Sequence, residues 1–187
     1  MVKVKNVLLV KQDPDQTYIP AFAKINDSGL DLPVKLTVNK EMFAKVGKSP
    51  RHLRKVMIGI EEKNPKEKHI EIPPENWAEI PSGISVKIPD NAWGAIFPRS
   101  SSVWKKKLLL SPGCIDSGYT GLLGVLVYNP NSHPVIVYEY DPENKTGDKL
   151  GQLILIPKYD LKDIVVVDEL PNTYRQESGF GSSDLER

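Results

Sequence analysis

Gly113-Cys114-Ile115-Asp116-Ser117-Gly118-Tyr119-Thr120-Gly121, running on into Leu122-Leu123-Gly124-Val125-Leu126-Val127-Tyr128-Asn129, is the stretch whose reading decides the fold. Its second half is an apolar run, partly β-branched and aromatic, that stops at Asn129-Pro130, the pattern of a buried strand. Its first half predicts a hairpin. Gly113, Gly118 and Gly121 admit positive φ or a close approach of backbone to a ligand. On an extended chain Asp116 and Tyr119 point to opposite faces, and a turn at Ser117-Gly118 brings them together. Two readings of that pair stand side by side: a turn aspartate with a packed tyrosine, or an acid and a ring that meet a ligand.

Working outward, prolines and glycines punctuate almost the whole chain, and short β-type runs lie between them at 2–10, 55–60, 84–88, 93–97, 122–128, 135–138, 152–156 and 164–167. Many short strands separated by turn signals predict a closed all-β sandwich or barrel. At 187 residues the chain is long enough for one domain with a sizeable core. A formal charge of +1, with no acidic or basic tail, argues against a nucleic-acid partner. No apolar run approaches a membrane span. The lysines and short apolar run of residues 1–10 lack the long hydrophobic region and small-residue cleavage site of a signal peptide, so they read as a strand. Cys114 is the sole cysteine, which excludes an intrachain disulfide and a cysteine metal cluster. A cytoplasmic location is the resulting expectation.

Four further stretches carry polar chemistry. Asp27-Ser28-Gly29-Leu30-Asp31-Leu32 is a Ser-Gly turn before an acid-bearing strand. Pro98-Arg99-Ser100-Ser101 sets a guanidinium and hydroxyls at a strand end, donors suited to phosphate. Gly147-Asp148-Lys149-Leu150-Gly151-Gln152-Leu153-Ile154 opens a strand, and residues 175–183 put Phe180 between two glycines. Each has a plain alternative: an edge strand, a surface loop, an exposed turn charge and a loose terminus. His52, His69 and His133 fall in turn-like or variable stretches and make no nucleophilic triad.

Taken with 113–121 these stretches, five in order over most of the chain, resemble the motifs of the trimeric dUTPases, whose third motif runs roughly Gly-Val-Ile-Asp-x-x-Tyr-x-Gly. The resemblance implies a distorted jelly-roll β-barrel over residues 1–171, a flexible C-terminal lid over 172–187 and a homotrimer with sites shared between chains. It implies hydrolysis of dUTP to dUMP and pyrophosphate by water attack on the α-phosphorus, with Mg²⁺ held mostly by the phosphates. In that scheme Asp116 orients the water and accepts its proton. Tyr119 packs under the deoxyribose, and backbone from Pro112 through Gly113 to Tyr119 reads the uracil edge. Arg99 pairs with acids of the site, while Ser100, Ser101 and Gln152 bind phosphate. Asp31 holds the metal-phosphate site through water. In the lid Phe180 stacks on the base, Arg175 clamps the terminal phosphate, Ser182 and Ser183 bond phosphate oxygens, and Gly181 is among the substrate-binding residues.

The chain departs from the family in four places. Residues 40–68 are an insertion in which Glu41-Met42-Phe43-Ala44-Lys45-Val46 predicts a short helix ended by Gly47. Its excess of Lys and Arg reads either as a partner or nucleic-acid surface or as a solvated lobe. Gly151 stands where alanine is usual, Gln176 and Ser178 replace glycines, and Asp184 replaces a final glycine. A dCTP deaminase is the nearest enzymatic alternative. Its catalytic glutamate belongs near Leu126, which cannot transfer protons. A nucleotide-binding regulatory protein on the same fold is the alternative from another class.

Overall fold

The computed structural model describes residues 7–12, 18–22, 24, 26–38, 42–55, 58–60, 68–159 and 161–173. The described elements, in order, are β1 (Leu9–Gln12), β2 (Leu30–Leu32), β3 (Thr37–Val38), β4 (Met42–Phe43), β5 (Lys45–Gly47), β6 (Arg54–Lys55), β7 (Gly59–Ile60), β8 (Lys68–Ile72), β9 (Trp77–Lys87) and β10 (Ala92–Pro98). They continue with one short helix, α1 (Ser100–Trp104), then β11 (Leu109–Ser111), β12 (Gly113–Ile115), β13 (Leu122–Tyr128), β14 (Val135–Tyr138) and β15 (Gly151–Pro157). The fold is all-β, as the punctuation of the sequence predicts, and jelly-roll-like, as the family resemblance implies.

Two sheets position the site. In the larger, β9 is the spine: β13 pairs along one edge, and β5 and β1 share the other. In the smaller the order is β12-β10-β15-β2, all antiparallel. Alternation drives both. Along β13, Leu123, Val125 and Val127 turn inward and are buried, while the residues between them are half-exposed. Ile80, Ile84 and Val86 of β9 and Ile96 and Leu153 of the smaller sheet complete one core. Truncating Leu153, 1% exposed, to alanine would cost about 3 kcal/mol. Ser82 is buried without penalty, since its hydroxyl donates to the Leu123 carbonyl at 2.7 Å.

Several expectations are corrected. Residues 42–47 form no helix; Met42–Phe43 and Lys45–Gly47 are strands. Ala44 and Val46 are both buried, a period of two; β3 supplies the backbone partners of Met42–Phe43 and β9 those of Lys45–Gly47, so strand pairing overrides local helix propensity. Among the described residues of the insertion the helical content is the single 3-10 turn Pro50–His52. Residues 164–167 form no strand: Ile164 and Val166 are 82% and 93% exposed, and among the described residues no strand pairs with them. The strand expected at 84–88 starts at Trp77, running through Pro81 and Gly83. At the amino terminus the described strand is Leu9–Gln12, and residues 1–6 lie outside the described residues.

Candidate active site

The turn at 116–119 is closed by the Tyr119 amide, which donates to the Asp116 carbonyl at 3.0 Å. The flanking strands, however, do not pair with each other. β12 pairs with β10 in the smaller sheet, and β13 pairs with β9 and β11 in the larger. The stretch is a corner between sheets, and a cleft of about 360 Å³ opens there, lined by Cys114, Asp116, Tyr119, Leu122, Leu126 and Glu79, among others. Among the described glycines only Gly83 and Gly147 have positive φ, so 113, 118 and 121 serve otherwise. At Gly121 the reason is proximity: the Tyr119 ring and hydroxyl occupy the space a β-carbon would need. The hydroxyl also donates to the Leu122 carbonyl at 3.0 Å, fixing the ring across the corner. Lys87 steadies the turn from below, donating to the Ser117 carbonyl at 3.0 Å and to Asp90 at 2.6 Å. That hydrogen bond holds the Asp90 carboxyl below its usual pKa.

The smaller sheet builds a second cluster by register. Phe97 lies opposite Gln152 and Gln152 opposite Asp31, so Asp31, Gln152 and the end of β10 are neighbours across three strands. Arg99 follows β10; its amide donates to the Leu150 carbonyl at 3.0 Å, and Ser102 Oγ donates to the same oxygen at 2.7 Å, pinning α1 to the residue just before β15. The guanidinium turns back on Asp31, with Nε 2.7 Å from Oδ1, and Nη1 donates to the Lys149 carbonyl at 3.4 Å. Asp31 is 4% exposed, a burial that a carboxylate tolerates only when paired; removing a partner costs about 3–5 kcal/mol. Ser100 is exposed and Ser101 half-buried in the first turn of α1. Gln152 donates to the Pro98 carbonyl at 3.4 Å, and its side chain packs on Gly29 so closely that a β-carbon there would displace it. Gly151 has given up its methyl to Val125, whose Cγ1 lies 2.7 Å from where that carbon would sit.

Sequence reading gave no site role to three residues of this cluster, Lys149, Tyr18 and Tyr140, and Lys149, which lies in the 147–154 stretch, is no exposed turn charge, its side chain being 16% exposed. Lys149 Nζ lies 3.5 Å from Asp31 Oδ2, and 4.5 and 4.4 Å from the ring centres of Tyr18 and Tyr140. Burial works against its charge, yet hydrogen bonding to Tyr18 and Tyr140 prevails and raises its pKa. Tyr18 sits 131 residues upstream of Lys149, and no local signal links them. Asp148, adjacent in the motif, faces elsewhere: Oδ2 accepts the Tyr138 amide at 2.8 Å and pairs with Lys106 at 2.9 Å. Glu79 was also missed. It lies opposite Leu126 in register, lines the cleft and pairs with Lys45 of β5 at 3.1 Å. Arg175, Phe180, Gly181, Ser182 and Ser183 lie outside the described residues.

The two clusters do not meet within the chain. Ile115 is opposite Gly94, so Asp116 is level with Trp93, six residues from Arg99 along β10, or about 20 Å at strand rise. Between them the outward face of the sheet is apolar: Trp93 and Ile156 are opposite one another, as are Ala95 and Ile154.

Asp116 and Tyr119 line the cleft, and Arg99 stands toward the other end of the same sheet, in an all-β protein with polar side chains gathered at two places. Comparison with known proteins identifies the family. A family model described as dUTPase matches residues 66–184, and the chain belongs to that family. The deoxyuridine 5'-triphosphate nucleotidohydrolase of Arabidopsis thaliana is 36% identical over 114 residues, 61% of this chain and 64% of that protein, so the chain spans just under two thirds of this relative. The protein of the same name from Paramecium bursaria Chlorella virus 1 is 36% identical over 106 residues, 57% of this chain and 70% of that protein. A point mutant of the Staphylococcus bacteriophage 80alpha dUTPase, solved with dUpNHpp, shares the fold with a TM-score of 0.67 at 20% identity, covering 96% of this chain and 99% of that one. The family match begins at residue 66, at the end of the insertion and well after Asp31. No described helix is long and apolar enough to cross a membrane.

Proposed function

We propose that this protein hydrolyses dUTP to dUMP and pyrophosphate, in a homotrimer whose sites are shared between chains. The observation that carries the proposal is the separation of the two half-sites on one sheet. Asp116 and Tyr119 lie about 20 Å of strand from Arg99, with the half-exposed side chains of Trp93, Ile154 and Ile156 on the face between. Packing copies over that face would bring one chain's corner to another's cationic end. The exposed apolar residues Ile164, Val166 and Leu170 support the same arrangement, as chain that finds cover on a second copy.

In the shared site Tyr119 floors the sugar, and its fixed ring leaves no room for a 2′-OH. The backbone from Gly113 to Tyr119 reads the base edge. Arg99, Ser100, Ser101 and Gln152 hold phosphate oxygens. Asp116 sits on an exposed turn, free to orient a water toward the α-phosphorus and take its proton. Arg175, Phe180, Gly181 and Ser182 close over the nucleotide as a lid.

The residues fit Mg²⁺ carried by the triphosphate. Among the described residues no three acid, His or Cys side chains gather around one point. Both Asp31 oxygens already face cations, so its remaining lone pairs would reach the ion through water. When bound, the ion neutralises phosphate charge. A cytoplasmic setting belongs to the same proposal, resting on the single thiol. The test is pyrophosphate release from dUTP, dCTP, UTP and dTTP with Mg²⁺, alongside ammonia release from dCTP. Turnover of dUTP far above the others is expected, and equal turnover of all four would overturn the proposal.

A further inference from the structure

We propose that Lys149 is a positioning residue: boxed between Tyr18 and Tyr140, it holds Asp31 in the orientation in which Asp31 fixes the guanidinium of Arg99. The inference rests on the proposed phosphate-binding role of Arg99. Asp31 divides its two oxygens between two cations, Oδ1 to Arg99 Nε at 2.7 Å and Oδ2 to Lys149 Nζ at 3.5 Å. Lys149 is itself committed on every side. Its ammonium is 3.3 Å from the Tyr18 hydroxyl and lies over the faces of both tyrosines, whose rings meet edge to face at 5.3 Å. Two aromatic faces hold a cation by their quadrupoles and restrict where it can go. Its side chain is 16% exposed, so it faces the protein, and a phosphate would not reach it without displacing Asp31. The backbone adds a second link, since the Lys149 carbonyl accepts from Arg99 Nη1.

The consequence for Arg99 is geometric. Its Nε and Nη1 are both taken on the protein side, and among the described residues no partner is seen for Nη2. The fork is thereby held with one edge toward the anion. Without Lys149, Oδ2 of a buried carboxylate faces no cation; Asp31 turns to find water, and the Nε contact that aims the fork goes with it. Tyr18 extends the device to the segment just ahead of residues 27–32.

Two measurements test this on the full chain: kinetics with dUTP, and calorimetric binding of inorganic tripolyphosphate, which needs no turnover. Lys149→Met is expected to lower kcat/KM and tripolyphosphate affinity about tenfold, a loss typical of mispositioned contacts. Lys149→Arg, which keeps a cation between the rings, should recover most of both. In an Asp31→Asn background Lys149→Met should change neither, because it acts through Asp31; a direct electrostatic effect on the anion would persist there. Should Lys149→Met fail to fold by its thermal midpoint, Tyr18→Ala loosens the box without changing charge and should lower both quantities several-fold. Wild-type values in Lys149→Met, or equal losses in both backgrounds, overturn the proposal. A chain that binds tripolyphosphate with this pattern but leaves dUTP intact overturns only the hydrolytic function.

Discussion

The ring of Tyr119 lies against the α-carbon of Gly121, with no room for a side chain between them. The glycine is there for the tyrosine's sake, since its own φ is ordinary. Gly121→Ala should therefore push the ring out of line and weaken the steric exclusion of a 2′-OH, as Tyr119→Ala does by removing it. The expected outcome in both is a dUTP/UTP ratio of kcat/KM narrowed about tenfold or more. An unchanged ratio in both variants would remove Tyr119 from sugar selection.

Asp116 is exposed on its turn, so Asp116→Asn keeps the fold. It removes the proton acceptor, and kcat should drop about 10²-fold or more. Near wild-type turnover with an unchanged melting temperature would show that another group activates the water.

Leu126 faces the cleft where a deaminase would need a carboxylate, and the carboxylate opposite it, Glu79, is held by Lys45. Ammonia release from dCTP is expected to be absent. Ammonia formed at a rate comparable with dUTP cleavage would contradict this assignment, and its loss in Glu79→Gln would identify the group responsible.

The shared-site arrangement predicts complementation. A chain stopped after Pro171 keeps every described strand, the last of which ends at Pro157, but lacks Arg175 and Phe180. Refolded together with full-length Asp116→Asn, it should regain activity above either protein alone, because some sites then take Asp116 from one chain and the lid from another. An inactive mixture, with mixed trimers verified by native mass measurement, would mean that lids close over their own chains.

Lys87 holds Asp90 below its ordinary carboxyl pKa of 3.8 by a hydrogen bond first and charge second. A lowered folded pKa stabilises above the unfolded value and is lost as pH falls through it toward the folded one. Asp90→Asn should lower the melting temperature slightly at neutral pH and leave it unchanged near pH 2, below the usual carboxyl range. A difference between the two proteins that persists in acid would assign the effect to something other than ionisation.

The order of polar stretches and the alternation in 122–128 are properties of the chain itself, and they sufficed for the all-β class and the family. They work because a strand's side chains alternate whatever it pairs with, and because a turn needs its Gly, Pro or Asn locally. The helix expected at 41–46 and the strand at 164–167 failed for one reason: backbone conformation there is decided by whether a neighbour offers hydrogen bonds, which residues 42–43 find on β3 and 45–47 on β9, and which 164–167 do not find among the described residues.

What only the tertiary structure decided is who meets whom. Sequence names Asp31, Arg99 and Gln152 separately; the register of β2, β15 and β10 makes them neighbours. Sequence names Asp116 and Arg99 alike as site residues; the same register sets them at opposite ends of one sheet. Lys149, Tyr18 and Tyr140 carry no motif as a group, since a cation between two rings needs only proximity, and proximity across 131 residues is a property of the folded chain.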